Sequence, residues 1–94
     1  MKKNPASRHK VRVLIVDDSA YVRRTFTKIL EREQRVEVIG TAWDGQEAIE
    51  KIARLAPDVV TMDLNMPKMD GIEALDIIMR EMPLPVIVVS SLNQ

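Results

Sequence analysis

Four short apolar runs, each separated from the next by one stretch of helical character, limit the fold more than any other feature of this chain. They are residues 11–16 (VRVLIV), 36–42 (VEVIGTA), 58–62 (DVVTM) and 85–91 (PVIVVSS). Their length and their β-branched content predict strands. Strands joined by single helices must run parallel, with right-handed crossovers and helices on both faces of the sheet. The uninterrupted apolar character of VLIV and VIVV is typical of such buried strands.

The stretches between the runs carry apolar residues at helical spacing and end signals where helices should begin and stop. Ser19 and Asp44 are predicted to cap the first and second helices. Pro57 and Pro83 follow the second and third helices, which must end before them. The pattern therefore predicts one α/β domain, ordered βαβαβαβ. The predicted apolar stripes are Val22, Phe26, Ile29 and Leu30 in the first helix, Ile49, Ile52 and Ala56 in the second, and Ile72, Leu75, Ile78, Met79 and Met82 in the third.

The composition excludes several classes of protein. The chain has 94 residues, of which 46% are hydrophobic and 30% charged. This composition predicts one small globular domain and not a disordered chain. It has no cysteine, which excludes disulfides and thiolate metal sites and agrees with a cytoplasmic location. No apolar stretch reaches the roughly 20 residues that a membrane span needs.

Charge is distributed unevenly although the net charge is zero. The segment MKKNPASRHK, residues 1–10, is basic and contains no acidic side chain. We interpret it as a disordered, solubilising leader and expect no nucleic-acid binding, because no basic or aromatic patch continues it. The predicted domain, residues 11–94, is acidic.

Carboxylates follow the strands at the end of the sheet where open α/β folds bind ligands. Asp17 and Asp18 follow the first strand, Asp63 follows the third, and Ser90 and Ser91 end the fourth. Three converging carboxylates are costly unless a cation offsets them, and an all-oxygen ligand set suits Mg²⁺ or Mn²⁺. A carboxylate beside such an ion can attack phosphorus and form an aspartyl phosphate.

Each of these features also has a purely structural interpretation. An Asp-Asp pair after a strand can be a turn with a cap, and Asp63 can be an ordinary loop residue. Residues 66–71 (MPKMDG) can be a proline-glycine turn, and Ser90 a strand-end hydroxyl. Their joint occurrence after the appropriate strands of one βαβ array favours the functional interpretation.

At this point the sequence resembles a known family, the receiver domain of two-component response regulators. The segments VLIVDDS, GTAWDGQEAI, PDVVTMDLNMPKMDGIEAL and PLPVIVVSSL carry the resemblance, which extends over residues 11–92. The phrases SAYVRR and LPVIVVSSLNQ are further similar to the receiver of chemotaxis protein-glutamate methylesterases. The resemblance implies a flavodoxin-like fold with strand order 2-1-3-4, and a place in chemotaxis phosphorelay signalling.

Site residues follow from the resemblance, position by position. It implies that Asp63 accepts a phosphoryl group from a histidine kinase, while Asp17 and Asp18 hold Mg²⁺, with Asp18 the more direct ligand. The main-chain carbonyl of Asn65 would add another oxygen, and the Ser90 hydroxyl would sense the phosphoryl group. The loop beside the acceptor would be shaped by Pro67 and Gly71, with Met66 and Asp70 holding its geometry.

The resemblance does not include every element of a complete receiver domain. It implies a fifth strand, ending in a lysine that pairs with the phosphoryl group, and two more helices beyond Gln94, so residues 11–94 are expected to form a truncated receiver. Lys68 lies in the wrong loop to replace that lysine. No esterase catalytic residues are present, and we expect the chain not to be an enzyme; its output domain, a methylesterase, would lie elsewhere. Residues 85–91 would form an exposed outer strand, through which we expect self-association.

Two other functions share features with this sequence. A dehalogenase-like phosphatase also places an aspartate after its first strand, but it needs an acid two residues beyond the nucleophile, where this chain has Ser19. A phosphatase of that class would hydrolyse a generic phosphate ester in the presence of Mg²⁺, whereas a receiver would not. A nucleotide-binding fold is disfavoured because Gly40, Gly45 and Gly71 form no phosphate-cradling loop.

Overall fold

The predicted order of strands and helices is confirmed. The computed structural model describes residues 9–66 and 71–89. Within them, four strands form one parallel sheet in the order β2-β1-β3-β4, as predicted. Among the described residues, no helix is long and apolar enough to cross a membrane. The elements are β1 (Val11–Val16), α1 (Ala20–Leu30), β2 (Val36–Ala42), α2 (Gly45–Leu55), β3 (Val59–Asp63), α3 (Gly71–Glu81) and β4 (Val86–Val89).

The first two strands have the predicted bounds, and the other two differ slightly. β3 begins one residue later than predicted because Asp58 lies just before the strand. The Asp58 N–H donates to the Arg12 carbonyl at 2.8 Å, and Asp58 Oδ2 accepts the Arg12 N–H, also at 2.8 Å. β3 also includes Asp63, which pairs with Val89. β4 begins one residue after Pro85, which has no N–H to donate to a ladder.

Both predicted helix caps are confirmed. The Ser19 hydroxyl accepts the N–H of Val22 at 3.2 Å, and Asp44 Oδ1 accepts the N–H of Glu47 at 2.8 Å. Ala56 was predicted on the apolar stripe of the second helix, and that was wrong: it lies one residue beyond α2, exposed and in the left-handed conformation with φ 49°.

The core lies between the sheet and the layer of α2 and α3. Strand order reverses after β2, so right-handed crossovers place α1 on one face and α2 and α3 on the other. Alternate strand residues point to each face. The buried cluster on the α2 and α3 side consists of Leu14, Val16, Ala42, Ala48, Ile52, Val60, Met62, Met66, Ala74 and Ile78.

The α1 face is covered less completely. No residue of α1 is buried, and Ile29 of its predicted stripe is 48% exposed. Two stripe residues of α3, Ile72 and Met79, are also exposed. Three residues of the predicted stripes therefore lie outside the core. Hydropathy spacing marks which residues share a helix face, but it does not show how far the neighbouring elements extend over that face.

Several predictions fall outside the described residues. They concern the loop residues Pro67, Lys68 and Asp70, the Ser90 hydroxyl, and all but the last two residues of the basic leader.

Candidate functional site

Three carboxylates meet at the end of the sheet where β1 and β3 finish. One carboxylate oxygen from each of Asp17, Asp18 and Asp63 lies within 4.8 Å of the others. β1 and β3 are neighbouring parallel strands in the centre of the sheet, so their carboxyl ends deliver these residues to one place. The convergence predicted from the sequence is present in the structure.

Asp17 is held in place from three directions. Its N–H donates to the carbonyl of Ala42, at the end of β2, at 3.0 Å. Its carbonyl accepts from the Arg23 guanidinium at 2.7 Å, and its Oδ1 accepts the N–H of Ser19 at 2.9 Å. These bonds fix both the main chain and one side-chain oxygen, so Oδ2 remains available to a ligand.

Asp63 is held in a similar way. It is the last residue of β3 and is 8% exposed. Its Oδ1 accepts the N–H of Asn65 at 3.0 Å, two residues on, as Asp17 Oδ1 does with Ser19. In both residues a local turn of this kind orients the carboxylate and leaves Oδ2 without a partner among the described residues. Asp18 differs, being exposed and without any hydrogen bond to a described residue.

The donor set suits a hard divalent cation. All three side chains offer carboxylate oxygens, which Mg²⁺ and Mn²⁺ prefer. The three oxygens lie within 4.8 Å of one another, so the side chains could close around one such cation. Arg23 donates from Nη1 to the Asp17 carbonyl and forms no ion pair with these carboxylates among the described residues.

Burial raises the pKa of Asp17 above its ordinary value of 3.8. The Ser19 N–H opposes that increase, while the negative charges of Asp63 and Asp18 add to it and Arg23 lowers it again. The Asp17 carboxyl therefore holds its proton to a higher pH than a solvated aspartate does.

This raised pKa predicts how metal-free stability depends on pH. Because folded Asp17 ionises at a higher pH than unfolded Asp17, the folded state holds the extra proton in the interval between the two pKa values. The unfolding free energy of the wild type, relative to Asp17→Asn, should therefore fall as the pH rises from 3.8 through the raised pKa. Urea unfolding of both proteins in the presence of a chelator, at several pH values across this range, measures the difference. A difference in unfolding free energy that does not change with pH would contradict the prediction.

Gly71 lies against the loop that follows Asp63. A Cβ at this position would lie 2.5 Å from the Leu64 Cα and 2.6 Å from the Asp63 carbonyl oxygen. The Gly71 N–H donates to the Leu64 carbonyl at 3.3 Å. The start of α3 can approach the end of β3 this closely only because residue 71 has no side chain.

Sequence reasoning missed the groups that orient the carboxylates. These are the N–H groups of Ser19 and Asn65 and the guanidinium of Arg23. An aspartate commonly bonds the N–H two residues on, so the two turns could have been anticipated. The Arg23 contact spans six residues and a change from strand to helix, and no local signal marks it.

The phosphatase alternative gains no support. The residue two beyond Asp17 is Ser19, whose hydroxyl caps α1 and whose N–H is bonded to Asp17.

Comparison with known families identifies one match that extends over most of the chain. The profile described as response regulator receiver domain matches residues 13–94. Among curated proteins, the chain is 61% identical over 83 residues to the protein-glutamate methylesterase/protein-glutamine glutaminase of Lawsonia intracellularis, covering 88% of the chain and 23% of that protein. The Pyrococcus abyssi protein of the same name is 48% identical over 90 residues, covering 96% and 24%. The chain thus spans about a quarter of the length of these relatives.

Solved structures give the same result for the fold. The response regulator domain of Thermotoga maritima CheB superposes with a TM-score of 0.86 at 49% identity, covering 92% of this chain and 64% of that one. A chain of the CheX-CheY-BeF3-Mg²⁺ complex from Borrelia burgdorferi gives a TM-score of 0.82 at 39% identity, covering 92% of this chain and 66% of that one. The flavodoxin-like arrangement predicted from the sequence is therefore confirmed.

Proposed function

Because this chain belongs to the response regulator receiver domain family, we propose that it accepts a phosphoryl group on Asp63 from a histidine kinase. The observation that carries the proposal is the cluster of Asp17, Asp18 and Asp63 at the end of the central strands. Asp63 is the best acceptor of the three, because it is buried at its strand end and one of its oxygens is fixed by Asn65 while the other is unpaired among the described residues.

Asp17 and Asp18 would hold Mg²⁺, or Mn²⁺, with Asp63 as a third ligand. The exposed Asp18, which has no partner among the described residues, would be the more direct ligand, and the main-chain carbonyl of Asn65 would add an oxygen. Bound Mg²⁺ would offset the negative charge of the phosphoryl oxygens. The chain's own contribution is to hold the Asp63 carboxylate in position.

The transfer step is a substitution at phosphorus. Asp63 Oδ2, which has no partner among the described residues, forms the new O–P bond as the bond from phosphorus to the donor breaks, and the donor group leaves with the electron pair. The product is an acyl phosphate. The Ser90 hydroxyl, outside the described residues, is proposed to bond the transferred group, and Pro67, also outside them, to shape the adjoining loop together with Gly71.

The biological setting belongs to the proposal as well. The methylesterase names of the curated relatives support a role in chemotaxis, with the esterase activity residing in the part of those proteins that this chain does not span. A cytoplasmic location accords with the cysteine-free composition. We keep residues 1–10 as a leader and residues 11–94 as the receiver segment.

A small phosphodonor tests the acceptor role. Incubation with acetyl phosphate and Mg²⁺ should add the mass of one phosphoryl group to the wild type. Asp63→Asn should abolish that addition, whereas Asp76→Asn should keep it, because Asp76 is exposed on α3 and its recorded ion pair is with Arg80, at 3.3 Å. Equal labelling of wild type and Asp63→Asn would refute the proposal.

A polypeptide of these 94 residues should also self-associate through β4. Within the described residues β4 pairs only with β3, and Ile87 and Val88 are exposed on opposite faces of the strand. The other edge of the sheet, β2, differs because side chains bond its outward main-chain groups. Glu31 accepts the N–H of Val38 at 3.0 Å, and Lys51 donates to the carbonyl of Thr41 at 2.6 Å. An edge with unpaired, exposed groups favours pairing with another chain.

Light scattering across a concentration series measures this association. Ile87→Lys should reduce the apparent mass, because charge on an edge strand opposes pairing. Ile72→Lys should not, since that exposed side chain lies on α3. A monomeric wild type at every concentration would count against association through β4.

A further inference from the structure

A cavity that is open to solvent and lined by both polar and apolar surface lies between α1 and the end of β2. Its volume is about 210 Å³, and its lining residues are Ala20, Arg23, Arg24, Thr27 and Thr41. A water molecule occupies about 30 Å³ in the liquid, so a small anion with some of its hydration water fits. None of its lining residues within 9–66 and 71–89 carries a carboxylate.

The cavity presents hydrogen-bond donors that no described residue uses. The Arg24 side chain makes no hydrogen bond or ion pair with any described residue. Arg23 has one recorded bond, from Nη1 to the Asp17 carbonyl, and its remaining N–H groups are available. The Thr41 hydroxyl is also unbonded among the described residues, while its carbonyl accepts from Lys51. The Thr27 hydroxyl is already committed, donating to the Arg23 carbonyl at 2.7 Å.

The positive charge of two arginines favours an anionic ligand in this cavity. Arg23 and Arg24 are adjacent guanidinium groups of the same sign, and neither is paired with a carboxylate side chain among the described residues. Guanidinium groups form strong, geometrically specific hydrogen bonds to carboxylate and phosphate oxygens. We propose that this cavity is a binding site for a compact oxyanion, a phosphate or a carboxylate, held by Arg24, Arg23 and the Thr41 hydroxyl.

This oxyanion site is separate from the metal site. The carboxylates of Asp17, Asp18 and Asp63 repel anions, so in the absence of metal an anion should prefer the arginine side of Asp17. Arg23 contributes to both places, since it lines the cavity and its Nη1 donates to the Asp17 carbonyl.

Amide chemical shifts of the full chain test the proposal. Inorganic phosphate is titrated in chelator at constant ionic strength, with chloride as the balancing anion. Saturable shifts should appear at the amides of Ala20, Arg24 and Thr41. Arg24→Ala should weaken phosphate binding by about tenfold or more, as expected for the loss of a charged hydrogen-bond partner.

Lys28→Ala is the matched control, because it removes the same charge from an exposed position of α1 that does not line the cavity. It should leave the affinity unchanged, and Arg24→Lys should fall between the wild type and Arg24→Ala. A parallel titration with acetate separates a preference for carboxylate from one for phosphate. Shifts confined to other parts of the chain, or equal losses in Arg24→Ala and Lys28→Ala, would overturn the proposal.

Discussion

Replacing Gly71 by alanine should lower the free energy of unfolding by about 1–3 kcal/mol, the usual cost of forcing an extra methyl group into a packed site. The added Cβ would meet backbone atoms of Leu64 and Asp63 at 2.5 and 2.6 Å, far closer than such contacts allow. Backbone cannot rotate away as a flexible side chain can. The start of α3 or the loop after β3 must therefore move, and that loop carries the Asn65 N–H that holds Asp63. We expect phosphorylation to slow as well.

Gly40→Ala is the matched control for this substitution. Its Cβ would meet only side-chain atoms, Leu55 Cδ1 at 3.2 Å and Leu14 Cδ1 at 3.5 Å, which can shift by a few tenths of an ångström. Urea unfolding should show a smaller loss for Gly40→Ala than for Gly71→Ala, and phosphodonor labelling should slow only in the latter. Equal stability losses in the two variants would mean that the close approach at Gly71 does not matter.

Magnesium should stabilise the wild type strongly. An ion that binds only the folded state adds about 2.7 kcal/mol at a free concentration of roughly 100 times Kd. In a domain of this size that raises Tm by roughly 10 °C or more. Asp63→Asn should lose most of this gain because it removes a ligand. Its metal-free Tm should equal or exceed that of the wild type, because it also removes repulsion between like charges.

Binding can be followed independently of unfolding. Trp43 is the only tryptophan of the chain, and it directly follows Ala42, whose carbonyl accepts the Asp17 N–H. Its fluorescence should change on titration with Mg²⁺, with weaker binding in Asp18→Asn and Asp63→Asn. Asp76→Asn, on the exposed surface of α3, should bind as the wild type does. A metal-free Asp63→Asn protein that melts well below the wild type would contradict a repulsive cluster.

The fold was predictable because local signals agreed with one another. The runs at residues 11–16 and 36–42 are strands with the predicted bounds, and Ser19 and Asp44 cap the helices as their side chains suggest. The convergence of the aspartates followed from topology alone, since parallel strands deliver their carboxyl ends to one edge. Each of these inferences depends on short-range pattern plus a general rule of sheet geometry.

Other features depend on contacts between distant residues, which one sequence does not reveal. The exposure of Ile29 depends on which elements cover the α1 face. The closeness of Gly71 to Leu64 depends on how α3 docks, and the cavity beside Arg24 depends on the spacing of α1 from β2. In the same way, Arg12 donates to the carbonyls of Leu55 and Ala56 across more than forty residues, tying the start of β1 to the end of α2.

Mapping the phosphoryl group to a single residue tests the central claim most directly. Reduction of the labelled chain with borohydride converts an aspartyl phosphate to homoserine, and peptide mass spectrometry then locates the altered residue. We expect the change at Asp63 alone, dependent on Mg²⁺ during labelling and lost in Asp63→Asn. Modification at Asp17 or Asp18, or labelling of Asp63 that proceeds equally well in chelator, would contradict the account.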